Sequence, residues 1–95
     1  MTGTQLLLDG RSLTSEADFH DAIDLAAREV GFVGYGRNLD ALRDVLTGFL
    51  LLPVHVRWVN ADCNRAWGSS YDKMVSIFEE AHQRFGAEFT FEILQ

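Results

Sequence analysis

The sequence predicts an α/β domain: a three-stranded parallel sheet covered by three main helices plus a short one. Two observations predict it. Short apolar runs at 4–8, 53–59 and 88–94 read as strands, and segments with apolar residues at helical spacing separate them. With helices between every pair of strands, the connections are crossovers and the strands run parallel. Ninety-five residues make one domain, 1–95, with room for a single core.

Each element has its own local signals. "TQLLL" (4–8) is an apolar run closed by the turn pair Asp9-Gly10; without alternation it suits a strand buried on both faces. In "SEADFHDAIDLAAREVG", Phe19, Ala22, Ile23, Ala26, Ala27 and Val30 recur at helical spacing. Ser15 with Asp18 resembles a capping box, and Gly31 supplies the stop. Glu16, Asp18, Asp21 and Asp24 fill the remaining surface, which reads as a solvated acidic face. A second helix spans 38–47, with Asn38 as N-cap, Gly48 as stop, and Leu39, Leu42, Leu46 and Phe49 on one side. "PVHVRWV" (53–59) alternates Val54, Val56 and Trp58 against His55, Arg57 and Val59, a strand exposed on one face, with Pro53 at its start. "NADCNRAWG" is polar and irregular, with room for a short helix. In "SSYDKMVSIFEEAHQRFG", Ser69 or Ser70 is the predicted cap, Met74, Ile77, Phe78, Ala81 and Phe85 the buried stripe, and Gly86 the end. "EFTFEIL" closes the sheet.

Composition narrows the function. Apolar residues make up 47% and charged residues 23%, as in ordinary globular chains. No apolar stretch is long enough to span a membrane, and the N-terminus lacks a charged-then-apolar signal pattern. With a single cysteine, Cys63, which forbids an internal disulfide, these features lead us to expect a cytoplasmic chain. The net charge of −6 argues against nucleic acid as the main ligand and fits a basic partner. His20, His55 and His82 lack metal-ligand spacing, so no metal is expected; His20 and His82 read as surface or half-buried helix residues. The glycines of "GFVGYG" follow a helix rather than a strand, so turn geometry explains them better than a phosphate cradle.

One residue lacks a structural excuse. Asp40, in the first turn of the second helix, meets the positive end of the helix dipole. Asp44 lies one turn further on, where that benefit has gone and a like charge stands four residues back. Asp40, Asp44 and Thr47 share the face opposite Leu39, Leu42 and Leu46. A solvated face of mixed charge is the plain explanation, and a binding face is the alternative.

"YGRNLDALRDVLTG" resembles the central motif of the barstar family, small intracellular inhibitors of secreted microbial ribonucleases. "LLLDGRSL" with "DFH", "LLPVHVRW" and "FEEAHQRFGAEFTFEIL" resemble its other segments, so the likeness covers nearly the whole chain, most weakly at 60–73. The resemblance implies a 1:1 complex in which the second helix and its preceding loop block the active site of a guanyl-specific extracellular ribonuclease. Asp44 would take the place of RNA phosphate among the enzyme's cations, with Asp40 beside it. It implies further contacts from Asn38, Gly36 and Tyr35 in or beside the loop, from Ala41, Thr47 and Gly48 on the helix, and from Glu80 at the rim. It also implies a cis Leu52-Pro53 bond, no cofactor, no catalysis and a monomer when free.

Three positions depart from the family pattern. Arg43 replaces a tryptophan of the best-known member, Arg37 an acid, and Gly34 an aromatic ring that packs on the enzyme. Either the target is a less basic ribonuclease whose rim carboxylates pair with these arginines, or both arginines turn away and shield Asp40 and Asp44. Two other classes stay open: a module of the same type for another basic toxin or regulatory partner, and an enzyme using Asp44 with a histidine.

Overall fold

The computed structural model describes residues 3–95. The elements are β1 (Thr4–Asp9), α1 (Glu16–Glu29), α2 (Leu39–Gly48), β2 (Val54–Val59), a 3-10 helix (Ala61–Trp67), α3 (Ser69–Phe85), a short 3-10 turn (Gly86–Glu88) and β3 (Phe89–Ile93). The strands lie in the order β1-β2-β3, and both pairs are parallel. Leu6, Val56 and Phe91 stand in register across the sheet, as do Leu8, Trp58 and Ile93. The α/β fold expected from the sequence is the fold observed.

β1 corrects the expectation of burial on both faces. Thr4, Leu6 and Leu8 are buried, whereas Gln5 is exposed and Leu7 is 68% exposed. The reason is topological. Sequential strand order makes both crossovers advance the same way, and crossovers of one hand then lie on one side of the sheet. The helices cover that side, and Gln5, Leu7, His55, Arg57 and Glu92 remain on the open one.

The covered face carries the core. Trp58, fully buried on the central strand, packs among Phe19, Phe78 and Tyr71, at ring-centroid distances of 5.5, 6.2 and 5.3 Å. Its indole Nε1 donates to Asn64 Oδ1 at 2.9 Å. Asn64 in turn donates to the carbonyls of Gly10 (3.3 Å) and Leu13 (3.0 Å). This buried amide, in the segment that sequence reads only as irregular, ties the 3-10 helix to the β1–α1 turn. Gly10 makes the approach possible, since a Cβ there would lie 2.0 Å from the Asn60 carbonyl oxygen.

Helix ends follow local chemistry, with three adjustments. Ser15 accepts from the Asp18 amide at 3.4 Å, but the Asp18 carboxylate accepts from the Thr14 amide (2.8 Å) and hydroxyl (2.7 Å). Gly31, at φ +87°, ends α1 with its amide bonded to Arg28 O and that of Phe32 to Ala27 O. α3 is entered through Gly68 at φ +65° rather than capped by Ser69 or Ser70; both serines lie inside the helix. Gly48 is the last residue of α2, but Phe49 and Leu50 close the helix by bonding back to Val45 O, without a left-handed glycine. The Leu52–Pro53 bond is cis, as the family resemblance implies. Among the described residues no helix is long and apolar enough to cross a membrane.

Candidate partner-binding face

α2 begins where the sequence says it must. Asn38, in extended conformation, accepts through Oδ1 from the Ala41 amide at 2.8 Å. Leu42, Val45 and Leu46 point into the core, which turns Asp40, Arg43 and Asp44 outward.

The loop before the helix is anchored on two sides. Inside, Tyr35 is buried and its hydroxyl lies 2.6 Å from Nδ1 of His20 on α1. Burial pushes the Tyr35 hydroxyl pKa up, so the group stays protonated. Outside, Arg37 adopts φ +58° and bonds through Nη2 to the Asp21 carboxylate and to Ala17 O at 3.3 Å; its Nη1 lies 3.9 Å from Asp24. The hydrogen bond to Asp21 raises the Arg37 pKa further. The acidic side of α1 is therefore more than a solvated face, because it holds this loop. A loop fixed in this way gives up little entropy on docking.

The structure sorts the candidate residues into groups. Asp40 is almost fully exposed, its side chain at 95%. Asp44 is exposed, and among the described residues no ion pair or side-chain hydrogen bond engages it. Gly34, Gly36, Asn38 and Gly48 are exposed; Ala41 and Thr47 are half-buried, with Thr47 Oγ1 donating to Arg43 O at 2.7 Å. Tyr35 is a core residue whose side chain faces inward. Arg37 reaches Asp21 and Asp24 on α1. Arg43 reaches from α2 to α3, where its Nε donates to Glu80 Oε2 at 2.8 Å; its Nη1 sits 3.5 Å from Asp40. Glu80 is also the main cause of the raised Arg43 pKa. In the free chain both guanidinium groups have internal acids, Arg37 with Asp21 and Arg43 with Glu80 and Asp40, and Asp44 adds a smaller charge effect on Arg43.

Two features escape sequence reasoning. His20 is buried rather than half-exposed, and the Arg43–Glu80 bridge joins residues 37 positions apart. No local pattern announces either. Among the described residues no group of three or more His, Cys, Asp or Glu side chains is placed to hold a metal ion.

Fold and face together define a class: a small α/β protein that holds an acidic helix at its surface behind a doubly anchored loop. Residues 4–94 match the family described as "Barstar (barnase inhibitor)", and the chain belongs to that family. It is also 34% identical over 86 residues to a Bacillus subtilis (strain 168) protein named "Putative ribonuclease inhibitor YrdF", a match covering 90% of this chain and 92% of that protein.

Proposed function

We propose that this protein is a ribonuclease inhibitor that acts inside the producing cell and has no catalytic activity of its own. It blocks the active site of a secreted, guanyl-specific microbial ribonuclease 1:1 with α2 and the preceding loop. Family membership supports the inhibitory role. The observation that supports the mechanism is Asp44, an exposed carboxylate without an internal partner on a helix whose approach is fixed by Tyr35–His20 and Arg37–Asp21.

A ribonuclease cleft gathers cations to hold RNA phosphate, and a rigidly presented carboxylate offers them the same charge-assisted hydrogen bonds. Asp40 adds negative charge one turn away, and Asn38, Gly36, Gly34 and Gly48 leave backbone groups open to close approach. Ala41 and Thr47 lie along the edge of that contact, with Glu80 at its rim.

The test is a titration of several purified microbial ribonucleases with wild type and Asp44→Ala. Inhibition should saturate at one equivalent, and the variant should lose about 2–5 kcal/mol of binding free energy. Inhibition indifferent to Asp44 would sink the mechanism. No inhibition of any enzyme would favour a family module directed at another basic toxin or regulatory partner, a possibility that Gly34, Arg37 and Arg43 keep open.

A further inference from the structure

The acidic face carries its own counter-charges, and Arg43 stands among them. Its Nε donates to Glu80 Oε2 at 2.8 Å across the groove between α2 and α3, and its Nη1 lies 3.5 Å from Asp40 Oδ1. Lys73 lines the same groove with Leu39, Asp40, Arg43, Ser76 and Ile77. Of the three carboxylates Asp40, Asp44 and Glu80, Arg43 bonds to Glu80 and lies close to Asp40, and among the described residues Asp44 has no ion-pair partner.

The guanidinium is not exhausted by these contacts. It has five N–H donors; Glu80 takes the one on Nε and Asp40 approaches Nη1. Nη2 has no acceptor among the described residues, and the side chain is 46% exposed. A partner cation approaching α3 would find Glu80 already bonded and Arg43 repelling it. A partner carboxylate or carbonyl would instead receive the free donors, with Glu80 still orienting them.

We infer that Arg43, acting through Glu80, selects the partner: the face fits a ribonuclease with cations in its cleft for Asp44 but a neutral or acidic rim opposite α3. This inference rests on the reading of α2 as an inhibitory face. The arginine removes Glu80 from the acidic patch and narrows it to Asp44 with the exposed Asp40 beside it. Negative charge then acts where the chemistry requires it, and basic rims are discriminated against.

The experiment measures association rates and Kd for wild type, Arg43→Gln, Glu80→Gln, the double variant and Asp44→Ala. The targets are ribonucleases with basic and with neutral or acidic rims, at low salt. Arg43→Gln frees Glu80 and should speed association with a basic-rim enzyme by about tenfold, while leaving the other class unchanged or slower. In the Glu80→Gln background that gain should shrink to less than half. An equal effect on both rim classes, or a gain undiminished by Glu80→Gln, would overturn the inference. The bridge is read separately without a partner, as an Arg43 Nε–H NMR resonance protected from exchange in wild type and exposed in Glu80→Gln. An unprotected resonance in a chain that still inhibits through Asp44 removes the inference alone. Absence of any Asp44-dependent inhibition removes the functional reading and the inference with it, whatever the bridge shows.

Discussion

His20 shows how a single side chain couples the site to pH. Its ring is buried on α1 against the Tyr35 hydroxyl. Burial first, and then the Arg37 charge, hold its pKa below the ordinary 6.5, outweighing Glu16 and Asp21, which act in the opposite direction. The unfolded chain therefore binds this proton more readily than the folded one. Stability from the neutral ring is fully present above 6.5 and is lost as pH falls below it. Urea midpoints compared between about pH 7 and pH 5 should fall more steeply for wild type than for His20→Gln. Equal slopes would show that His20 is not the group responsible. Asp9 and Asp18, whose pKa values are lowered chiefly by hydrogen bonds from Asn60 and Thr14, act in a separate range, below 3.8. His20 thus ties a pH-dependent part of the stability to the residue, Tyr35, that leads into the α2 loop.

At the scale of elements, the sheet departs from a general tendency. Parallel strands are usually covered on both sides. Here both crossovers lie on one side, so each strand behaves like a half-buried antiparallel strand, with one face in the core and one in water. β1 makes the test direct, since Leu7 and Leu8 are neighbours of identical chemistry. Leu8→Ala should cost about 2–5 kcal/mol of stability, because its side chain fills the covered face. Leu7→Ala should stay within about 0.5 kcal/mol. Denaturant titrations of the two variants would decide it, and comparable losses would mean that the outer face is covered after all. α2 presents the complementary case. Its inward Leu42, Val45 and Leu46 fix its rotation, and that rotation leaves Asp44 outward.

At the scale of the whole molecule, the net charge of −6 is spread unevenly. Several acids are spent internally: Asp21 on Arg37, Asp24 on Arg28 and more distantly Arg37, and Glu80 on Arg43, while Asp40 lies within 4 Å of Arg43. The field that a basic partner feels is the remainder, with Asp44 at the centre of the proposed contact. Such steering acts through solvent and is screened. The association rate with an inhibited ribonuclease should therefore fall as ionic strength rises from about 0.01 to 0.15 M, where the screening length shortens from about 30 to 8 Å. A flat salt profile in stopped-flow measurements would show that docking owes nothing to long-range charge.

Element order, the N-caps Ser15 and Asn38, the glycine stop at Gly31, the oddity of Asp44 and most of the helices' core stripes are legible in the chain alone; Val30 and Phe49, read on those stripes, are exposed because they stand at the helix ends, beyond the packed turns. These signals act within one or two turns of chain, through periodicity, capping and the helix dipole, so they can be read without knowing what lies alongside. The resemblance in "YGRNLDALRDVLTG" added the family for the same reason, since that motif is one continuous segment. Which side of β1 meets water, the pairing of Tyr35 with His20 and of Asn64 with Trp58, and the directions of Arg37 and Arg43 are set by packing. Those outcomes depend on which helices become neighbours. Arg37 finds its acid 16 residues away and Arg43 finds Glu80 at 37, on elements that the crossovers bring together. A guanidinium carries its charge in any sequence, but its partner is chosen by the packing around it.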